Sequence, residues 1–267
     1  MKAVPDISLT EVNAVYDGAE GDLWELIMGQ QIHIGGMRSS LELAERAGIR
    51  EGSDGVDLCC CNGAGMRLLV RFCGVGTMTG VDVTHTVVER GRRRCREEGL
   101  EERIRFVLAD ACDSRLPAAC ADFVWGEDAW CYVADKARLI AEAVRIVKPG
   151  GVIAFTDWVE GPAGLSEADA ARLLRFMKFP NVQDIPGYVE LLKANGCEVL
   201  VAEDTGRFPA YIDLYQNMVE MQLTYDALRI MRFDTAAMQG MAGEMSGLRE
   251  WAHAGNVAQG RFVARRL

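Results

Sequence analysis

The chain has 267 residues, of which 49% are hydrophobic and 25% charged, with a formal net charge of −10. That is ordinary globular composition, long enough for one large domain or one domain carrying an insertion. The acidic balance argues against nucleic-acid partners and anionic membranes, both of which require a basic face. No apolar run reaches the ~18 residues of a membrane-spanning helix, and Met1 to Val15 lacks the apolar stretch of a secretory signal. The nine cysteines show no paired C-x-x-C spacing, so no metal is expected, and they read as reduced thiols of a cytoplasmic protein.

From about residue 40 the pattern alternates between helix and strand. Ser39 to Ala47 reads as a helix stopped by Gly48, and Gly55 to Cys60 as a short buried strand. Gly65 to Cys73 is helical, with Met66, Leu69, Val70 and Cys73 at helical spacing. Met78 to Val83 is the next strand, and Val87 to Glu98 a helix closed by Gly99. Its Arg90, Arg92, Arg93, Arg94 and Arg96 read as a solvated face. Ile104 to Leu108 and Asp122 to Trp125 are strands. Lys136 to Val147 is an amphipathic helix ended by Pro149-Gly150-Gly151, and Gly151 to Asp157 is a fifth strand. Strands joined by helices of this length predict right-handed crossovers and a parallel sheet.

After Trp158 the rhythm changes. Helices are expected over 166–176 and 185–195, a strand over 197–203, then one long helix from Tyr211 to about Met231 and another over 235–253. Gly260 to Arg265 reads as the last strand. The late helices form an insertion before that strand, placed to cover the carboxyl edge of the sheet, where ligands bind in such folds.

The chemistry-bearing residues cluster at predicted strand ends. The first strand runs into Asp57-Leu58-Cys59-Cys60-Cys61-Asn62-Gly63-Ala64-Gly65, a small-residue loop that lets backbone approach a ligand, or a plain strand-to-helix turn. It is not the G-x-G-x-x-G dinucleotide fingerprint. Asp82, followed by Val83, ends the second strand about 20 residues on, where a carboxylate can accept from two ribose hydroxyls or cap the next helix. Asp110-Ala111 follows the third strand, suited to an adenine amino group and ring nitrogen, or to an ordinary loop. Trp24, Trp125, Trp130 and Trp158 fall in the N-terminal stretch or at strand ends and form either a cation–π site for an ammonium group or core. His33 positions substrate or packs in an apolar stretch, and Arg172, Arg175, Lys178 and Arg207 are candidate anion anchors or exposed helix charge.

Further motifs carry a resemblance. These are Tyr16, Leu26-Ile27-Met28-Gly29 and Ile32-His33-Ile34-Gly35-Gly36; Trp125-Gly126-Glu127-Asp128-Ala129; Val147-Lys148-Pro149-Gly150-Gly151 with Phe155-Thr156-Asp157; and Leu248-Arg249-Glu250-Trp251 with Gly255 and Gly260. Over nearly its whole length the chain resembles the class I S-adenosylmethionine (SAM)-dependent methyltransferases. Within them it is similar to the sarcosine/dimethylglycine and phosphoethanolamine N-methyltransferase group. The resemblance implies an α/β fold: a doubly wound, mostly parallel, seven-stranded Rossmann-like sheet. It divides the chain into an N-terminal helical lid (1–38), a SAM-binding core (39–205), a helical cap insertion (206–257) and a last core strand (258–267).

By the same resemblance, Asp57 and the loop through Cys59, Cys61 and Gly63 face the methionine part of SAM. Asp82 and Val83 hold the ribose, Asp110 and Ala111 the adenine, and Glu127 and Asp128 lie beside the transferring methyl. Tyr16, His33, Glu127 and Tyr132 are the candidate catalytic groups; Trp24, Asp128, Trp130 and Trp158 are candidates for the acceptor. The sequence departs from the family at two places. Cys59 and Cys61 stand where the loop has glycines, and a Cβ makes positive φ costly there. Three adjacent cysteines are apolar filler or carry redox or metal chemistry. Tyr132 stands where the family has a histidine paired with a lid tyrosine, matched here by Tyr16. The expected activity is methyl transfer to a small polar acceptor, foremost an amine nitrogen, by direct displacement with release of S-adenosylhomocysteine. The alternatives are O-methylation and a non-catalytic sensor or scaffold. A monomer or homodimer is expected.

Overall fold

Serine or aspartate side chains cap five of the eleven α-helices among the described residues. In the computed structural model, which describes residues 1–4 and 7–267, a two-residue strand β1 (Lys2–Ala3) precedes helix α1 (Leu9–Tyr16). Ser8 and Glu11 form a reciprocal capping box at the start of α1. Helices α2 (Ala19–Met28) and α3 (Gly36–Ala47) lead into the sheet. There follow β2 (Asp54–Leu58), α4 (Ala64–Phe72), β3 (Thr77–Asp82), α5 (His85–Glu97), β4 (Ile104–Leu108) and β5 (Ala121–Glu127). A 3-10 turn at Trp130–Tyr132 precedes α6 (Lys136–Ile146), capped by Asp135, and the long strand β6 (Val147–Glu160). The chain continues through α7 (Glu167–Met177), β7 (Asn181–Asp184), α8 (Ile185–Ala194) and β8 (Cys197–Asp204). It ends with α9 (Phe208–Met221), α10 (Thr224–Ile230), α11 (Thr235–Ala254) and β9 (Val257–Arg266).

The predicted sheet forms in the order β4-β3-β2-β5-β6-β9-β8. Strands β2 to β6 are parallel, and β9 enters antiparallel between β6 and β8. Two short strands extend it beyond the predicted seven. β5 stops pairing with β6 at Thr156, whereas β9 holds the other edge of β6 as far as Glu160. β7 takes the freed edge at Val159 and Glu160, and β1 pairs with β7. The single helix expected from Tyr211 to about Met231 is two helices. Its start moves back to Phe208, because Pro209 fits a first helical turn. It breaks after Met221, where the amides of Gln222 and Leu223 both donate to the Met218 carbonyl and the Thr224 hydroxyl takes the Val219 carbonyl.

Among the described residues, buried apolar side chains gather in three clusters. Val56, Leu58, Val124 and Phe155 meet α6 and α8 on one face of the sheet. Met78, Phe123 and Trp125 meet α3, α4 and α5 on the other. The third, around Leu23, Trp158, Leu174, Phe208 and Leu248, joins the N-terminal helices to α7 and α9–α11 above the carboxyl edge. No helix of the described residues is long and apolar enough to cross a membrane.

One close approach fixes the end of β5. Trp130 folds back over Gly126, stacks on Phe155 at 4.0 Å between centroids and donates its indole N–H to the Leu58 carbonyl at 3.2 Å. A methyl at position 126 would occupy the place of the indole. Gly126→Ala is therefore expected to cost about 1–3 kcal/mol by overpacking and to lower the melting temperature by roughly 3–10 °C in calorimetry. An unchanged melting temperature would show that Trp130 is not fixed there.

Candidate active site

The carboxyl ends of β2, β3 and β4 open on one cavity of about 340 Å³ roofed by α1. Its walls include Cys59, Cys61, Asp82, Val83, Asp110 and Ala111, with Leu9, Val12, Asn13 and Tyr16 from the roof and Tyr132 at one side. A smaller cavity of about 60 Å³ adjoins it, bordered by Asp57, Gly65, Glu127, Asp128, His33 and the segment Gln30–Ile32. Tyr16, Cys59, Cys61 and Ala129 border both.

The loop between β2 and α4 has the backbone of a glycine loop with cysteine at its first two glycine positions. Cys59 and Cys61 sit at φ 65° and 48°, and Gly63 at 72°. Left-handed backbone costs a residue with a Cβ about 1–2 kcal/mol, so its surroundings must impose it. The amides of Cys59 and Cys60 donate to the Val81 carbonyl at 2.8 and 3.1 Å. The Cys61 amide donates to Asp82 Oδ2 at 2.8 Å, and the Thr84 amide to Asp82 Oδ1 at 2.9 Å. Gly63 caps α4 and lines neither cavity; a Cβ there would meet Phe106 at 2.6 Å.

Burial raises the pKa of the Asp82 carboxyl despite those two donors. The Cys61 thiol is pushed up to about 12, mainly by burial and then by Asp82, and burial also holds Cys59 and Cys60 well above the ordinary thiol value. Raised thiol pKa values keep the reactive thiolate scarce, which disfavours redox chemistry at these cysteines. Among the described residues no group of three or more His, Cys, Asp or Glu side chains is arranged to hold a metal.

The smaller cavity is ringed by carboxylates. Asp57 is buried, and burial, then Glu127 and Asp82, push its pKa well up. Glu127 accepts from Ser40 Oγ at 2.6 Å, and His33 Nε2 lies 3.3 Å from it and 3.2 Å from Ser40 Oγ. The other ring nitrogen of His33 is 3.4 Å from the Ile34 carbonyl, so both nitrogens face protein partners. Tyr16 donates to Tyr132 at 2.9 Å, and burial raises both phenols, leaving them neutral.

Some candidates lie elsewhere. Trp130 is fully buried in the core beneath β5. Trp158 packs edge-on against Phe179 and Phe208, and Trp24 against Phe176. None of the three, nor Trp125, lines either cavity, so the tryptophans form no cage there; each is more stable packed among apolar neighbours than facing water. Asp128 borders the smaller cavity, but its oxygens accept from the Ile34 amide and from Gln259. It ties two segments together instead of offering a free carboxylate.

Arg172 pairs with Glu244 and lies over Trp251, and Arg207 pairs with Glu42 and Arg261 shares that carboxylate. The basic run on α5 is only partly a solvated face. Arg90 reaches Asp22 and Glu25 on α2 at 2.8 and 3.1 Å, Arg94 also pairs with Glu25, and Arg93 and Arg96 are exposed. Ser40, Gln30 and Gln259 escape the sequence reading. Ser40 leaves one trace, a polar residue on the buried stripe of α3.

A family model described as a methyltransferase domain matches residues 56–155. The 27-O-demethylrifamycin SV methyltransferase of Amycolatopsis mediterranei is 30% identical over 213 residues, covering 74% of this chain and 77% of that protein. The chain spans 58%, 38% and 47% of three further curated relatives. Among solved structures, phosphoethanolamine N-methyltransferase 2 of Haemonchus contortus with SAM superposes with a TM-score of 0.83 at 21% identity, over 95% of this chain and 58% of that one. A Galdieria sulphuraria protein assigned as a sarcosine dimethylglycine methyltransferase gives 0.76 at 22% identity, over 86% of each chain.

The loop conformation has a direct consequence. Cys61→Gly keeps or raises the melting temperature, since it relieves left-handed strain. Cys61→Val, β-branched, is expected to cost about 2 kcal/mol and lower it by roughly 4–8 °C. Equal melting temperatures for the two variants would mean that position 61 is not left-handed.

Proposed function

The chain belongs to the class I SAM-dependent methyltransferases, and on that premise we propose that it methylates a small-molecule acceptor, foremost an amine nitrogen. The carrying observation is that three successive parallel strands deliver Asp57, Asp82 and Asp110 to the rim of one continuous pair of cavities. Asp82 would accept from the ribose hydroxyls, and Asp110 with the Ala111 N–H would take the adenine edge. Asp57 would face the amino-acid end. No hydrogen bond from a described residue reaches its carboxyl group, which borders the smaller cavity, and burial disfavours its charged form until a cation pairs with it. The ammonium of SAM fits that requirement. SAM, when bound, supplies an electrophilic methyl on a sulfonium, open to in-line displacement.

The remaining work of the protein is positioning and exclusion of water. The roof α1 covers the larger cavity and the segment bearing His33 borders the smaller one. His33 and Glu127 hold each other, and the Tyr16–Tyr132 pair stays neutral. With His33 beside Glu127 and the phenols neutral, the site favours an acceptor already nucleophilic as bound, and a neutral amine meets that condition. Glu127 can still take the proton that methylation releases.

A second reading is O-methylation of a hydroxyl on a larger apolar skeleton. It is favoured by the similarity to the 27-O-demethylrifamycin SV methyltransferase. The nine free cysteines agree with a reducing compartment such as the cytoplasm.

Calorimetry with SAM and S-adenosylhomocysteine, followed by product release across an amine and hydroxyl panel, tests the proposal. No binding at millimolar nucleoside would sink it, and binding without turnover on any acceptor would favour a sensor. Asp82→Ala is expected to weaken both nucleosides at least tenfold, the worth of about one charge-assisted hydrogen-bonded group. Unchanged affinity would remove the ribose assignment.

A further inference from the structure

The last strand contributes one fully buried polar side chain, Gln259, which no part of the cavity wall includes. Its amide nitrogen donates to the Ile34 carbonyl at 3.0 Å and to both oxygens of Asp128 at 2.9 and 2.8 Å. The Ile34 amide in turn donates to Asp128 Oδ2 at 2.8 Å. Both backbone groups of Ile34 are therefore held, one by β9 and one by the residue after β5. The far side of Gln259 is also fixed: its Oε1 accepts from Thr205 Oγ1 at 3.1 Å, and its carbonyl from the Thr205 amide at 2.9 Å.

This arrangement bears on the site because Ile34 follows His33 directly. Gly35 and Gly36 follow in left-handed backbone, at φ 91° and 47°, a conformation glycine adopts at little cost. Asp128 itself stands at φ 48°, and its amide donates to the Thr156 carbonyl at 2.8 Å. A left-handed, buried aspartate next to Glu127 needs partners that keep it there. We propose that Gln259 is a positioning residue. Through Ile34 and Asp128 it locks the His33 segment against the end of β5, fixing the wall of the smaller cavity, where Asp57 would face the amino-acid end of SAM, without touching a ligand. The inference rests on the methyltransferase reading for its ligand arm and on geometry alone for its exchange arm.

Gln259→Met keeps length and approximate volume but removes every donor. Hydrogen exchange on the ligand-free full chain should then quicken on the order of tenfold or more at residues 29–36, with the amides of β2 and β5 unchanged. Uniform acceleration across the chain, or none, would overturn the proposal. Should Gln259→Met fail to fold, Asp128→Asn, which removes one acceptor at constant size, is expected to quicken the same residues. In the ligand arm, S-adenosylhomocysteine should bind on the order of tenfold more weakly to Gln259→Met. 5′-Methylthioadenosine, which lacks the amino-acid part, should bind within about threefold of wild type, less than the worth of one hydrogen bond. Equal losses for both would mark a merely structural role and overturn the proposal. Wild-type protein that binds neither nucleoside would instead overturn the methyltransferase reading and leave the exchange result to decide on Gln259.

Discussion

The neighbouring strands β2 and β5 set the constraint on which this protein depends. The sheet grows outward from that pair, through β3 and β4 on one side and β6, β9 and β8 on the other. Right-handed crossovers on the two sides leave in opposite directions, so the carboxyl ends of β2 and β5 open on a crevice that no crossover helix fills. Asp57 and the cysteine loop come from one wall of that crevice, Glu127 and Asp128 from the other. The loop must turn away from the sheet within a few residues of Leu58 to leave the space open. Left-handed backbone achieves this, and the hydrogen bonds to Val81 and Asp82 sustain it even with cysteine in the glycine positions.

What lies above the crevice is held by two different kinds of force. The apolar cluster of Leu23, Trp158, Leu174, Phe208 and Leu248 gives the covering helices their adhesion, in proportion to buried area and with little directional preference. Direction comes from polar contacts: Arg90 and Arg94 to Asp22 and Glu25, and Asp128 with Gln259 to Ile34. The first set is partly exposed and screened by salt. The second is buried, where an unmatched partner is costly and geometry is therefore tightly specified.

Much of the architecture was legible in the sequence because its signals are local. The runs at 55–60, 78–83 and 104–108 are short, apolar and bounded by glycine or charge, and they became β2, β3 and β4 with shifts of a residue or two at their ends. The two additional short strands were not legible. β7 exists because β6 outlasts β5, a mismatch of strand lengths that no window of sequence contains. The break between α9 and α10 was missed for a related reason: apolar periodicity continues across it, while two successive amides, of Gln222 and Leu223, share the Met218 carbonyl.

The sequence by itself determined the strand-helix alternation and the placing of Asp57, Asp82, Asp110 and Glu127 at strand ends, since those depend on periodicity and on which residue follows which. It also exposed the conflict at Cys59 and Cys61, because a Cβ at a position requiring positive φ is a local matter. Only the tertiary structure decided which side chains face the cavities. The tryptophans went to the core, where their large apolar area is removed from water, and Asp128 was taken by Ile34 and Gln259. Partnerships spanning 94 and 131 residues leave no periodic trace, because folding in three dimensions is what brings their members together.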